Sequence, residues 1–190
     1  QRFEISFNSY KPFACGIVIH PSIDACVQLG RQGVTPEQVE SIELKVHSLV
    51  LELTGKKTPA DGLQSKFSVY HSCAVGLIFG QAGEHEYTDE VVARPDVLAL
   101  RAKVEAVVDD RIHEASVDIT IRTTDGREFH LFVKHAIGSV EKPMSNAQLR
   151  AKFAGQAEPV LGAAKTTKAW DLSMAIAGCT DLDEFFANAT

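Results

Sequence analysis

The chain has 190 residues, 45% hydrophobic and 23% charged, enough for one domain, or one domain with an appendage, around a real core. Its net charge of −6 argues against nucleic acid or an anionic membrane surface as a partner. No apolar run approaches the ~20 residues of a membrane span and no signal-peptide pattern is visible, so a cytoplasmic protein is expected. The four cysteines, Cys15, Cys26, Cys73 and Cys179, show no CxxC spacing, which points to reduced, mostly buried thiols rather than a metal or redox motif. A first residue other than Met leads us to expect a piece of a longer protein.

"RFEISF" alternates Phe3, Ile5 and Phe7 with polar residues, the pattern of a half-buried strand. In "KPFACGIVIHPSIDA" (11–25), Pro21 and Ser22 fit the first positions of a helix that should end near Gly30 or Gly33. Ile42, Leu44 and Val46 then share one strand face. The apolar parity flips to Leu49, Leu51 and Leu53, which calls for a bulge or a strand break near His47-Ser48. "TGKKTPADGLQ" reads as a polar loop. "SKFSVYHSCAVGLIFG" reads as a buried helix, closed by Gly80 and small enough at Ser72, Cys73, Ala74 and Gly76 for close packing.

A short helix should open at Pro95, followed by a short strand in "VEAVVDD". The clearest element is the hairpin in "ASVDITIRTTDGREFHLFVKHA". A three-residue loop, Thr124-Asp125-Gly126, pairs Ile121 with Phe129 and keeps both apolar sets on one face, with a glycine bulge at Gly126. We therefore expect a β-meander after Val104. Ser145-x-x-Gln148 predicts a capping box for a helix carrying Leu149 and Phe153, with two more helices near 165–177 and 182–187. The fold class is α+β: an antiparallel-rich sheet with helices packed on one side, followed by C-terminal helices.

The chemistry concentrates in two places. His20 falls near the N-cap of the helix at Pro21-Ser22, and Lys11, nine residues earlier, can add a point charge if the chain folds back. Together they would suit a carboxylate-sized anion; the plainer reading is a solvated lysine and a neutral cap. His71 sits in an otherwise apolar helix, where burial is costly unless it is paired. It can serve as a general acid or base, or simply be a satisfied core histidine. Lys66 and Ser68 nearby can contact an anion or cap the helix. His47, His113, His130 and His135 read as exposed or strand-end positions, and "GEHEY" around His85 is only superficially a metal site. There is no P-loop, GxGxxG, GxSxG or zinc spacing.

Three stretches in this order and spacing, "YKPFACGIVIHPSIDA", "SKFSVYHSCAVGLIFG" and "VEKPMSNAQLRAKF", resemble the MmgE/PrpD family. That family includes 2-methylcitrate dehydratase, cis-aconitate decarboxylase and iminodisuccinate epimerase. The resemblance implies an α+β lid domain over about 1–140 and a helical segment, 141–190, that returns to a large all-helical domain absent from this chain. It implies no metal and no organic cofactor, a small polycarboxylate substrate and a homo-oligomer, with a dimer as the expected state.

It further implies that Lys11 is an active-site lysine, that His20 is the histidine of the family's "HP", and that His71 stands where some members carry an active-site tyrosine. His71 and Lys11 are then the catalytic candidates, and Lys11, His20, Ser22 and Lys66 the substrate-binding ones. Gly16 occupies the position of a histidine in cis-aconitate decarboxylase, which counts against decarboxylation. The expected activity is that of a 2-methylcitrate dehydratase-like lyase in the longer parent, with this piece alone inactive. The alternatives are an epimerase or isomerase of the same family, or a non-catalytic carboxylate- or protein-binding module.

Overall fold

A computed structural model describes residues 3–188, which form two compact units, one ending at Pro143 and one starting at Met144. In the first unit the order is α1 (His20–Arg31), β1 (Val39–Val46), α2 (Ser48–Thr54), α3 (Gly62–Ser65), α4 (Val69–Phe79), α5 (Asp89–Val92), α6 (Pro95–Arg101), β2 (Val104–Val108), β3 (Val117–Thr123) and β4 (Glu128–Val133). The four strands make one sheet in the order β2-β1-β3-β4. β1 pairs antiparallel with β3, and β3 with β4, while β1 and β2 run parallel. The fold is α+β with a mixed, antiparallel-rich sheet.

One sheet face carries the core. Ile42, Leu44 and Val46 of β1 and Val117, Ile119 and Ile121 of β3 are fully buried, and α1 and α4 lie over them. The register pairs Ile42 with Ile121 and Leu44 with Ile119, so the inward residues form continuous apolar rows. α4 is buried on nearly all sides and touches α1 closely at Gly76. A Cβ there would stand 3.2 Å from Ile23 Cγ2, so glycine sets how near the two helices come.

Several expectations hold. α1 ends at Arg31 just before Gly33, α4 is closed by Gly80 in the left-handed region, and α6 opens at Pro95. The hairpin pairs Ile121 with Phe129, and Gly126 has φ +83. The parity flip after Val46 is a true break. His47 Nδ1 accepts the Leu49 N–H and starts α2, so Leu49 to Leu53 are helical rather than a second strand.

Other expectations are corrected. Residues 4–7 form a 3-10 turn, not a strand, with Phe3 72% and Ile5 78% exposed. Alternation supplied a strand pattern there, but the edges of the sheet are β2 and β4 and this run pairs with neither. The 54–64 loop contains α3, capped by Asp61. β2 is not part of a meander: helices α2 to α6 carry the chain across so that β2 joins β1 in parallel, the connection that parallel pairing requires.

In the second unit, α7 (Asn146–Leu161), α8 (Ala163–Met174) and α9 (Asp183–Asn188) follow one another. The capping box at Ser145 and Gln148 is formed in both directions. Phe153 and Trp170 bring their rings to 5.7 Å, yet Val160, Met174, Ile176 and Phe186 remain exposed. Among the described residues no helix is long and apolar enough to cross a membrane.

Two stability outcomes follow from these contacts. Gly76→Val forces side-chain atoms into Ile23 and is expected to lower stability by about 1–3 kcal/mol in chemical denaturation; an unchanged midpoint would contradict the close α1–α4 approach. Ser145→Ala removes the cap of α7 and should cost about 1 kcal/mol locally. Faster amide exchange at Gln148 and Leu149, with β3 unaffected, is the measurement that checks it.

Candidate functional site

The stretch Tyr10–Gly16 belongs to no helix or strand and is held by backbone hydrogen bonds to three distant segments. The Tyr10 N–H bonds the Gly138 carbonyl (3.1 Å), the Ala14 N–H that of Ala82 (2.9 Å) and the Gly16 N–H that of Lys66 (3.2 Å). Gly138 has φ +87, and a Cβ on it would fall 2.3 Å from the Tyr10 carbonyl oxygen and 2.7 Å from Pro12 Cδ. The segment carrying Gly138 is itself fastened to α1, because the buried Asp24 carboxylate accepts the Ile137 N–H and the Lys142 ammonium, each at 3.0 Å. Lys11 therefore projects, exposed, from a backbone fixed on both sides.

A 3-10 turn, Ile17–Ile19, then feeds α1, and the His20 N–H bonds the Ile17 carbonyl. The helical stretch thus begins at Ile17, four residues before Pro21, and His20 is a buried residue with its ring edge-on to Phe13 at 5.4 Å. Ser22 is buried in the first turn of α1. Lys66 lies at the end of α3, partly exposed, with its ammonium 2.7 Å from Glu84.

The Gly16–Lys66 backbone bond brings the Lys11 stretch against the end of α3, and both lysines act electrostatically on one buried group, the Cys15 thiol. Burial pushes the thiol up to about 11, outweighing the nearby Tyr87 and Ser72 hydroxyls and the two ammoniums, all of which favour its ionised form. Ser72 Oγ and Tyr87 Oη are 3.0 Å apart, and burial, followed by Cys15, holds the Tyr87 hydroxyl well above its ordinary range. The result is a neutral polar cluster of Cys15, Ser72 and Tyr87 with two cations beside it. Tyr87 is admitted by Gly62, where a Cβ would stand 2.1 Å from the Tyr87 carbonyl oxygen.

His71 abuts this cluster from within α4. It is fully buried, its ring centroid 5.6 Å from that of Tyr87. Its Nε2 lies 2.9 Å from the Glu86 carbonyl oxygen, which can only accept, so Nε2 bears the proton. Nδ1 is buried and has no hydrogen-bond partner among the described residues. Burial first, and then the Arg101 guanidinium, lower the pKa of His71, against the raising effect of the Glu86 carbonyl. The imidazole is therefore neutral near pH 7.

The "GEHEY" run acts in this site without being a metal motif. Glu84 holds Lys66, Glu86 turns inward, and Tyr87 reaches Ser72. Reading from sequence missed Tyr87, Cys15 and Ser72, because each looks like ordinary core until the loop closes over α4. A separate cavity of about 330 Å³, lined by His47, Asp110, Arg111, His113 and Glu114 among others, includes none of Lys11, Cys15, Lys66, His71, Ser72 and Tyr87.

Residues 13–176 match the family described as MmgE/PrpD C-terminal domain. The chain is 26% identical over 159 residues to 2-methylcitrate dehydratase of Salmonella typhimurium, covering 78% of this chain and 31% of that protein. It is 30% identical over 88 residues to the mitochondrial 2-methylcitrate dehydratase of Yarrowia lipolytica, 46% of this chain and 17% of that one. A probable 2-methylcitrate dehydratase of Saccharomyces cerevisiae is 24% identical over 147 residues, 72% of this chain and 28% of its own length. The chain thus spans less than a third of the relatives it matches. With the family match covering most of its length, the chain belongs to the MmgE/PrpD family.

Proposed function

We propose that this chain forms the carboxylate-holding side of a 2-methylcitrate dehydratase-like lyase, working as one part of a longer enzyme. The observation that carries this reading is the Gly16 N–H to Lys66 carbonyl bond, which sets the stretch carrying Lys11 against the turn carrying Lys66, beside buried Cys15 and the Ser72–Tyr87 pair. Dehydration of a hydroxy-polycarboxylate removes a proton from the carbon next to a carboxylate, forms the C=C bond and expels the hydroxyl with its electron pair, to leave as water. Negative charge grows on the carboxylate as the proton leaves, and ammonium groups aimed there lower the barrier. No metal or organic cofactor enters the step as written.

Energetics make Lys66 available. Its pair with Glu84 is solvent-accessible, 28% and 57% exposed on the two side chains, and exposed pairs contribute only about 0–1 kcal/mol. A substrate carboxylate can displace Glu84 at little cost. Lys11 supplies a second cation whose backbone does not have to be ordered on binding. His20 and Ser22, both interior, support α1 and the wall rather than touch substrate.

His71 is placed to take part in proton movement only through Nδ1, since Nε2–H is committed to Glu86. Its complete burial also favours a second reading for this chain by itself: a carboxylate-binding module that turns nothing over until further polypeptide supplies acid and base groups. An epimerase or isomerase of the same family would use the same two lysines.

The test is titration of 2-methylcitrate into the 190-residue chain, followed by amide shifts. Shifts centred on residues 10–16 and 66 are expected, with no turnover. Lys11→Ala should weaken binding about tenfold or more, the loss of a charge-assisted hydrogen bond. Gly138→Ala should weaken it in the same direction without removing a charge, by displacing Tyr10 and Pro12. Shifts elsewhere, or affinity indifferent to Lys11→Ala, would sink the assignment, and measurable dehydration by this chain would refute its inactivity.

The pH dependence has a definite sign. Unfolding frees the Cys15 thiol to ionise near its ordinary 9.0 while the folded thiol holds its proton to about 11. Stability should therefore fall as pH rises through that window, by up to ~1.4 kcal/mol per pH unit. His71 works from the other side. Its lowered folded pKa means stability is lost as pH drops below 6.5. Denaturation midpoints of wild type and Cys15→Ser across pH 5 to 10, on the order of the range where folded proteins titrate, measure both slopes; an unchanged alkaline slope in Cys15→Ser would contradict the thiol assignment.

A further inference from the structure

We infer that the loop Gln81–Tyr87 fixes His71 as the neutral ring protonated on Nε2, which makes Nδ1 its proton acceptor, and that Glu86 is the positioning residue. This deepens the functional reading above and rests on it for its catalytic meaning, although the arrangement itself is a property of this chain alone.

Glu86 has two parts with separate tasks. Its carbonyl oxygen takes the His71 Nε2–H at 2.9 Å. Its carboxylate, on a residue 1% exposed, turns back into its own loop and accepts the Gly83 N–H at 2.7 Å and the Gln81 amide at 3.0 Å. A buried carboxylate without such donors would be costly, so the loop conformation and the burial of Glu86 require each other. The conformation so locked is the one that aims the carbonyl at Nε2.

Both ends of the loop are held independently. The Tyr87 hydroxyl meets Ser72, the Tyr87 ring packs on His71, and the Ala82 carbonyl takes the Ala14 N–H. The loop thus touches both the Lys11 stretch and α4. From α4 itself, Ser68 Oγ accepts the His71 backbone N–H and fixes where the ring starts. The charged group acting on the ring from α6 is Arg101, which disfavours a second ring proton. Loop, helix and neighbour therefore agree on one protonation state: a single proton, on Nε2. Nδ1 is left with its lone pair, buried and without a hydrogen-bond partner among the described residues. A lone pair kept in that state is what a proton acceptor needs.

The experiment reads the ring nitrogens of His71 by ¹⁵N NMR in the 190-residue chain near neutral pH, without substrate. Expected in wild type are a protonated, slowly exchanging Nε2 and an unprotonated Nδ1. Glu86→Ala should mix the two tautomers and speed Nε2–H exchange several-fold. Glu86→Gln keeps one acceptor for Gly83 and should lie between. If Glu86→Ala does not fold, as judged from the β3–β4 amides, Gln81→Ala decides, since it removes one of the two donors and should shift the ring in the same direction to a smaller extent.

A wild-type ring protonated on Nδ1 overturns the inference, as does an unchanged tautomer and exchange rate in a folded Glu86→Ala or Gln81→Ala chain. Because no substrate is present, that failure leaves the carboxylate assignment of Lys11 and Lys66 standing. Failure of the 2-methylcitrate titration, conversely, leaves the tautomer result intact.

Discussion

A run of backbone without a helix or strand of its own must find its hydrogen bonds elsewhere, and Tyr10–Gly16 finds them on Gly138, Ala82 and Lys66. Those three bonds join the segment after β4, the loop over α4 and the end of α3 at one place. Each partner brings something with it. The Gly138 segment brings the Asp24–Lys142 contact that ties it to α1. The Ala82 loop brings Glu86 and Tyr87, and the Lys66 turn brings the second cation. The candidate site is therefore a consequence of how one irregular stretch satisfies its peptide groups, with the sheet and the α1–α4 pair as a platform beneath it.

The same arrangement explains its electrostatics. Cys15, Tyr87 and His71 are all ionisable, and burial drives each towards its neutral form. Two ammoniums next to Cys15 do not reverse this, because their charge is spent largely in solvent while the thiol is desolvated. Charge thus stays at the rim on Lys11 and Lys66, and the interior stays neutral behind it. A dianionic or trianionic ligand would meet cations at the rim without having to bury its own charge against buried anions.

Much of the platform was legible in the sequence. Period-2 runs such as Ile42-Leu44-Val46 and Val117-Ile119-Ile121, and the Thr124-Asp125-Gly126 loop, carry their meaning locally. So do the caps at Gly80, Pro95 and Ser145-Gln148. The misses share a physical origin, since each depends on a partner distant in sequence. Phe3-Ile5-Phe7 alternates as a strand does, but alternation does not provide a neighbour to bond. "VEAVV" reads as a strand, yet only the helical crossover decides that its neighbour is β1 rather than β3. Leu49 to Leu53 fits either period, and the His47 cap settles it.

In the candidate site, the residue types that could carry charge were readable and those that place them were not. Lys11, Lys66 and His71 stand out by type against apolar neighbours. His20 stood out equally, but the 3-10 turn at Ile17 moved the helix start upstream and left its ring against Phe13. Tyr87 and Glu86 looked like loop residues around a spurious metal motif. Their placement depends on Gly62, where only a glycine leaves room for the Tyr87 carbonyl and so for the loop whose Glu86 carbonyl reaches His71. A histidine's chemistry depends on which ring nitrogen is free, and in this chain a backbone carbonyl fifteen residues away makes that choice. Residue type marks where acid–base chemistry can occur, while the atom that performs it is selected by main-chain geometry that no local pattern encodes.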